Sequence, residues 1–323
     1  MPRTRYVAAL ACALFAVFAF AATAGATITT RTIDYGPWTI PAGNGDPHPA
    51  DHTLMGMIEN QIVQNVAKPC TGCKIIGVTP DLVYSDGTRA NIDRGPMLHH
   101  FMLATQASGK SDLTCAGTTV GLLGQRFFAA GNERTPIDIQ SLPYGYDIGS
   151  SETFNMVIDL MNWATTSKTV KIRITWKYAT GTDSTSRSPL RPMWLDADGC
   201  STDSLITVPE GISDTHRDIS APISGRVIAA AGHIHDHGVN VELTNQSAGG
   251  AMICNSVARA GENAEYITTL DGRRHISSMS TCIGNPVASI TRGNSLRLHT
   301  NYNVPVGHGA IDDAMGIMIV FVG

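Results

Sequence analysis

Val170-Lys171-Ile172-Arg173-Ile174-Thr175-Trp176-Lys177 alternates apolar and polar side chains without a break. Successive residues of a strand point to opposite faces, so this period of two sets Val170, Ile172, Ile174 and Trp176 on a core and their neighbours toward water. Working outward, Lys74–Tyr84, Met97–Leu103, Met156–Leu160, Val227–His237, Val239–Leu243, Leu296–Tyr302 and Met315–Val322 also read as strands. Ser85-Asp86-Gly87 reads as a hairpin-type turn. A helical stripe is expected only at Leu54, Ile58, Ile62 and Val66, weakened by Gly56. The expected fold class is therefore mostly β. The polar, turn-rich run from Gly181 to Pro189 is the most linker-like interior segment. It separates two parts of similar size, 27–185 and 186–323, each of a length suited to one β-sandwich domain.

The chain has 323 residues, 43% hydrophobic and 15% charged, a composition that folds. Its net charge of −4, with no basic run, lacks the electrostatic footprint of a nucleic-acid binder. Arg3 and Arg5 precede the apolar stretch Val7 to Ala22, and Ala24-Gly25-Ala26 follows. That order is the pattern of a secretory signal peptide over residues 1–26, so a secreted, extracytoplasmic protein with no membrane attachment after cleavage is expected. Cleavage would remove two arginines and no acid, taking the charge from −4 to −6. Gly-rich phosphate loops and a Gly-x-Ser-x-Gly elbow are missing from the sequence, which argues against nucleotide enzymes and ordinary serine hydrolases.

Six cysteines remain beyond the signal: Cys70, Cys73, Cys115, Cys200, Cys254 and Cys282. In an oxidising compartment disulfides are the default, although six cysteines allow about 15 pairings and spacing does not choose among them. Cys254 and Cys282, which share the second half, are expected to pair. Cys70 and Cys73 have the spacing of a thiol-redox pair but precede a strand instead of opening a helix, which disfavours redox chemistry.

Five histidines fall into two groups. In His233-Ile234-His235-Asp236-His237, residues i and i+2 of a strand share a face, so His233 and His235 can bind one metal ion. His237 could join them, although Gly238 suggests that the strand is ending. His99 and His100 are sequence neighbours, and on a regular strand they would point apart. Both reach one ion only at a bulge, a strand end or a strongly twisted edge.

A His-His doublet in a first β half, a His-x-His in a second and a Met near its end together resemble the copper type II, ascorbate-dependent monooxygenases, the family of peptidylglycine and dopamine hydroxylases. The matching residues are His99, His100, His233, His235 and Met315. Gly77 to Gly87, Gly232-His233-Ile234-His235, Met279-Ser280-Thr281-Cys282 and Asn301-Tyr302 before Met315-Gly316 resemble plant stress-upregulated nodulin-like proteins more closely still. The resemblance implies two β-sandwich, jelly-roll-like domains with a His233/His235/Met315 copper site facing His99/His100 across an interdomain cleft. It implies one or two copper ions as metal cofactor, O2 and a small organic molecule as substrates, hydroxylation as reaction, and ascorbate or another donor of electrons.

The sequence departs from the family pattern in two ways. Asn162 stands where the first copper has its third His, and an amide is a poor copper ligand. Ala231, Ile317 and Ile319 stand where the peptide-amidating branch has the residues that bind a peptide carboxylate, which disfavours a peptidylglycine substrate. Two alternatives accompany the enzyme reading: a non-catalytic copper-binding or carbohydrate-binding β protein derived from the same fold, and a zinc site of His233, His235 and His237 on an unrelated fold.

Overall fold

The strand Lys168–Thr180 is built as its alternation requires, with Val170, Ile172, Ile174 and Trp176 wholly buried. It lies between Thr27–Ile40 and Cys73–Tyr84, antiparallel to both. The computed structural model describes residues 27–47, 54–266 and 274–323. The expected signal segment, 1–26, lies outside the described residues.

The described residues are mostly β, in five sheets. The first half contributes the sheet just described and a second of four strands, ordered Gly56–Val66, Thr153–Asn162, Pro96–Gln106 and Gln125–Gly131. One core fills the space between them, with Phe101, Phe154 and Trp176 among its largest side chains. The second half contributes a four-stranded sheet, Arg191–Asp196, Gly316–Val322, Gly225–Ile234 and Thr281–Ile290. A five-stranded sheet runs Gly211–Ser220, Ser295–Val304, Gly238–Asn245, Ala251–Ala260 and Ile276–Met279, and Ile206–Val208 pairs with Ile311–Ala314.

The sheet containing Gly316–Val322 is covered on both faces. Ile317, Ile319 and Phe321 join the core of the first half, whereas Met318, Val320 and Val322 join a second core against the five-stranded sheet. This explains why Gly316–Val322 is an unbroken apolar run with no alternation.

The expected helical stripe is a strand, Gly56–Val66. A spacing of four is a multiple of two as well as one turn of helix, so Leu54, Ile58, Ile62 and Val66 did not separate the two readings. Register shifts occur between Ile58 and Gln61 and between Val63 and Val66. Asn60 and Asn65, both at positive φ, sit within these irregularities, so Ile58, Val63 and Val66 meet the core while Ile62 is exposed. The linker-like run is also ordered: Gly181–Ser186 is a short helix, and Arg187 anchors its end by donating to the carbonyls of Gln140 and Leu142.

Three disulfides join Cys70 to Cys73, Cys115 to Cys200 and Cys254 to Cys282. The last is the pair expected from sequence, and the second ties the two halves together. No helix among the described residues is long and apolar enough to cross a membrane.

Met318 and Ile319 are neighbours that face opposite cores. Met318→Ala and Ile319→Ala should each lower the unfolding free energy by about 2–5 kcal/mol in urea titrations. A loss below about 1 kcal/mol for either would show that one face of this sheet is not packed.

Candidate metal centre

His233 lies in Gly225–Ile234 directly opposite Ile317. Opposed residues of an antiparallel pair share a face. Ile317 faces the core of the first half, so His233 does too. The strand ends at Ile234, and the chain turns at once into Gly238–Asn245 of the other sheet, with Gly238 N–H donating to the His235 carbonyl. His235 therefore begins a turn. Asp236 fixes that turn by accepting from Ile276 N–H at 2.8 Å and by pairing with His275. His237, at φ 68°, is carried to the other side, where its ring lies 4.9 Å from that of His308.

His99 and His100 lie in Pro96–Gln106 at a bulge. Leu98 opposes Leu160 and His100 opposes Asp159, so His99 is the extra residue on its strand. This is the condition under which adjacent histidines can share a face. Ring centroids are 4.7 Å apart for His99 and His100, 4.7 Å for His99 and His235, and 5.4 Å for His233 and His235. Ligating atoms of His99, His100 and His235 come within 4.8 Å of one another. The two histidine groups expected to face each other across a cleft thus form one cluster.

Two rings are hydrogen-bonded through one nitrogen, and a third sets one nitrogen against a carboxylate. His235 Nδ1–H donates to the Asp313 carbonyl at 2.6 Å, and His233 Nδ1–H donates to Glu133 Oε1 at 3.0 Å. His100 Nε2 lies 2.9 Å from Asp159, whose other oxygen accepts from Asn60 N–H at 2.8 Å. The strand irregularity at Asn60 therefore orients His100 through one carboxylate. His100 Nδ1, His233 Nε2 and His235 Nε2 are buried and have no hydrogen-bond partner. A ring held by one nitrogen, with the other bare, is the arrangement of a metal-ligating histidine.

The electrostatics favour neutral ligands at His235. Its pKa is pushed down to about 3, first by burial and then by the adjoining His233. Glu133 behaves oppositely: burial disfavours its charge, but His233 and donated hydrogen bonds hold it below its ordinary range. Burial likewise disfavours a charged His233, and Glu133 outweighs that effect and raises it.

Sequence reasoning missed three contributors. Glu133 sits in Gly131-Asn132-Glu133-Arg134-Thr135, a run that reads as an exposed turn yet is buried throughout. Gly131 is obligatory there, because a Cβ would stand 2.5 Å from the His233 ring and 2.7 Å from the His99 carbonyl. Asp159 left a detectable signal, an acid inside the apolar strand Thr153–Asn162. Tyr302 is wholly buried; its hydroxyl accepts from the amides of His235 and Met315, each at 3.1 Å, and donates to the Met315 carbonyl at 2.7 Å.

Met315 is buried, and it lines a mostly apolar cavity of about 270 Å³ together with His100, His233 and Glu133. Ala231, Ile317 and Ile319 form part of the same wall. Asn162 is wholly buried and does structural work: it donates to the carbonyls of Pro41 and Thr166 at 2.8 and 2.9 Å and accepts from Ala164 N–H at 3.1 Å.

Fold and site together define a mostly β protein with a half-buried imidazole cluster beside an apolar cavity. The family described as Stress up-regulated Nod 19 matches residues 153–323, just over half of the sequence. The chain belongs to that family. The probable copper-dependent oxygenase M1 of Phoma sp. is 28% identical over 309 residues, covering 90% of this chain and 72% of that protein. The probable copper-dependent oxygenase clz3 of Cochliobolus lunatus is 28% identical over 262 residues, covering 76% of this chain and 78% of that one. Among solved structures, the major capsid protein P2 from bacteriophage PM2 aligns with a TM-score of 0.34 at 10% identity, over 91% of this chain and 97% of that one. That likeness is too slight to carry an argument.

Tyr302→Phe keeps the buried ring and removes only the hydroxyl that positions His235 and Met315. It should cost about 1–3 kcal/mol of stability. It should also weaken metal binding roughly 10–100-fold, as loss of a ligand's support does. Calorimetric metal titration of the folded variant checks this; unchanged affinity would show that Tyr302 serves packing alone.

Proposed function

We propose that the chain is an exported copper-dependent oxygenase that hydroxylates a small, mostly apolar organic molecule. Two β-sandwich, jelly-roll-like units, 27–185 and 186–323, would form it, with the histidine cluster between them. The observation that carries this reading is the half-buried set of imidazoles, with buried ring nitrogens of His100, His233 and His235 left bare, beside an apolar cavity. Imidazole donors suit copper, zinc, iron or nickel, and a thioether nearby favours copper in its reduced state. The relatives named as probable copper-dependent oxygenases support copper among these.

His99, His100 and His235 would hold the ion, with His233 and Met315 at its side. Bound copper would supply one-electron redox chemistry toward O2. The protein's own part is orientation and exclusion of water. Asp159, the Asp313 carbonyl and Glu133 fix three of the rings, and the apolar walls keep a reacting C–H bond dry. The buried Glu133–His233 pair is a place to hold a proton. In the overall reaction one oxygen atom enters the C–H bond and the other leaves as water, with two electrons and two protons drawn from a donor such as ascorbate.

The apolar identity of Ala231, Ile317 and Ile319 supports a substrate without a carboxylate at that wall. The three disulfides support a protein that matures in an oxidising, extracytoplasmic compartment.

Copper titration followed by oxygen-electrode traces with ascorbate tests the reading. His235→Ala and His99→Ala should each abolish copper retention, because too few ligands remain. His237→Ala should leave it unchanged, and Met315→His should keep copper while suppressing donor-driven O2 uptake. Unaltered copper affinity in the His99 and His235 variants would overturn the assignment. Copper retained by the wild type without any O2 uptake would leave a copper-binding protein in its place.

A further inference from the structure

The cavity has a second polar feature besides the histidines. Arg126 lines it from Gln125–Gly131, the strand that ends beside His233. Its side chain is 3% exposed, and its Nη2 is buried with no hydrogen-bond partner. An unpartnered buried donor costs about 1–3 kcal/mol, so a fold that keeps one beside a cavity leaves it for a ligand to satisfy.

The charges around Arg126 decide which ligand. Its Nε donates to Asp112 Oδ2 at 2.6 Å, and that carboxylate also accepts from Thr114 and Cys115. Asp196 is a second buried carboxyl within its electrostatic reach. Asp196 accepts from Ser204, Trp194 and Asp198. The guanidinium stacks over Trp194, which lines the cavity too, at 4.6 Å from the ring centroid. One cation among two acids does not attract a further anion, but its free N–H still needs an acceptor.

We propose that Arg126 binds a neutral oxygen of the substrate, a ketone, ester or amide carbonyl, at the end of the cavity remote from the histidines. This rests on the oxygenase reading in taking the cavity as the substrate's place. Arg126 is five residues before Gly131, which touches His233, and the strand carries one extra residue at Phe127. At ~3.3 Å per residue that spacing is roughly 15 Å. The substrate class is then an elongated, mostly apolar molecule whose carbonyl group is set well apart from the carbon presented to the histidine cluster.

Isothermal titration of the purified full chain, with and without a chelator, tests this independently of turnover. The probes are 8-phenyloctan-2-one, octylbenzene and 8-phenyloctanoate. The ketone should bind at least about tenfold more tightly than the hydrocarbon, the worth of one charge-assisted hydrogen bond, and more tightly than the carboxylate. Equal binding of ketone and hydrocarbon, preference for the carboxylate, or no binding of any probe would overturn the proposal while leaving the copper assignment intact. Arg126→Gln combined with Asp112→Asn removes both charges together, so neither is stranded. It should erase the ketone preference while octylbenzene still binds. A purely structural Arg126 would change the affinity of both probes in proportion.

Discussion

A sheet buried on both faces is the constraint from which the remaining arrangement follows. Odd-numbered residues of Gly316–Val322 pack into the first half and even-numbered residues into the second. Neither half can be withdrawn without exposing a continuous apolar surface to water. The relative rotation of the halves is set by the same packing. Because His233 is locked opposite Ile317, the rotation that buries Ile317 also delivers His233 to the strand bearing His99 and His100.

The cluster is an electrostatic compromise. Four half-buried imidazoles with neighbouring ring centroids 4.7–6.4 Å apart cannot all carry protons. Burial and the neighbouring His233 keep His235 neutral, whereas Glu133, and beyond it Asp196, favour the charge of His233. Three of the rings are aimed by groups from different parts of the chain: His100 by Asp159 from the sheet of the first half, His233 by Glu133 from the 131–135 turn and His235 by the Asp313 carbonyl from the second half. The centre therefore exists only in the assembled molecule.

Much of this was legible in the sequence. The strand at Val170–Lys177, the face shared by His233 and His235, and the need for a bulge at His99–His100 all follow from a period of two. The strand Gly56–Val66 was not legible as such, since a spacing of four fits a helix equally well and its two irregularities depend on pairing with Thr153–Asn162. Glu133 was hidden for a different reason. Its polar neighbours look solvated, and only the packing of the 131–135 turn between the halves buries them. The merging of two histidine groups into one cluster depends on the turn at His235 and on how the halves dock, neither of which is written in local spacing.

The bridge between Cys115 and Cys200 lies where the cavity wall is made of connecting segments. Thr119, Val120 and Leu123 follow one cysteine, and Ser201 to Ser204 follow the other. Two flaps that could otherwise part independently are sewn along one seam. That stretch of wall therefore keeps its width through a covalent bond, and reduction of the bridge would leave it to weaker contacts alone.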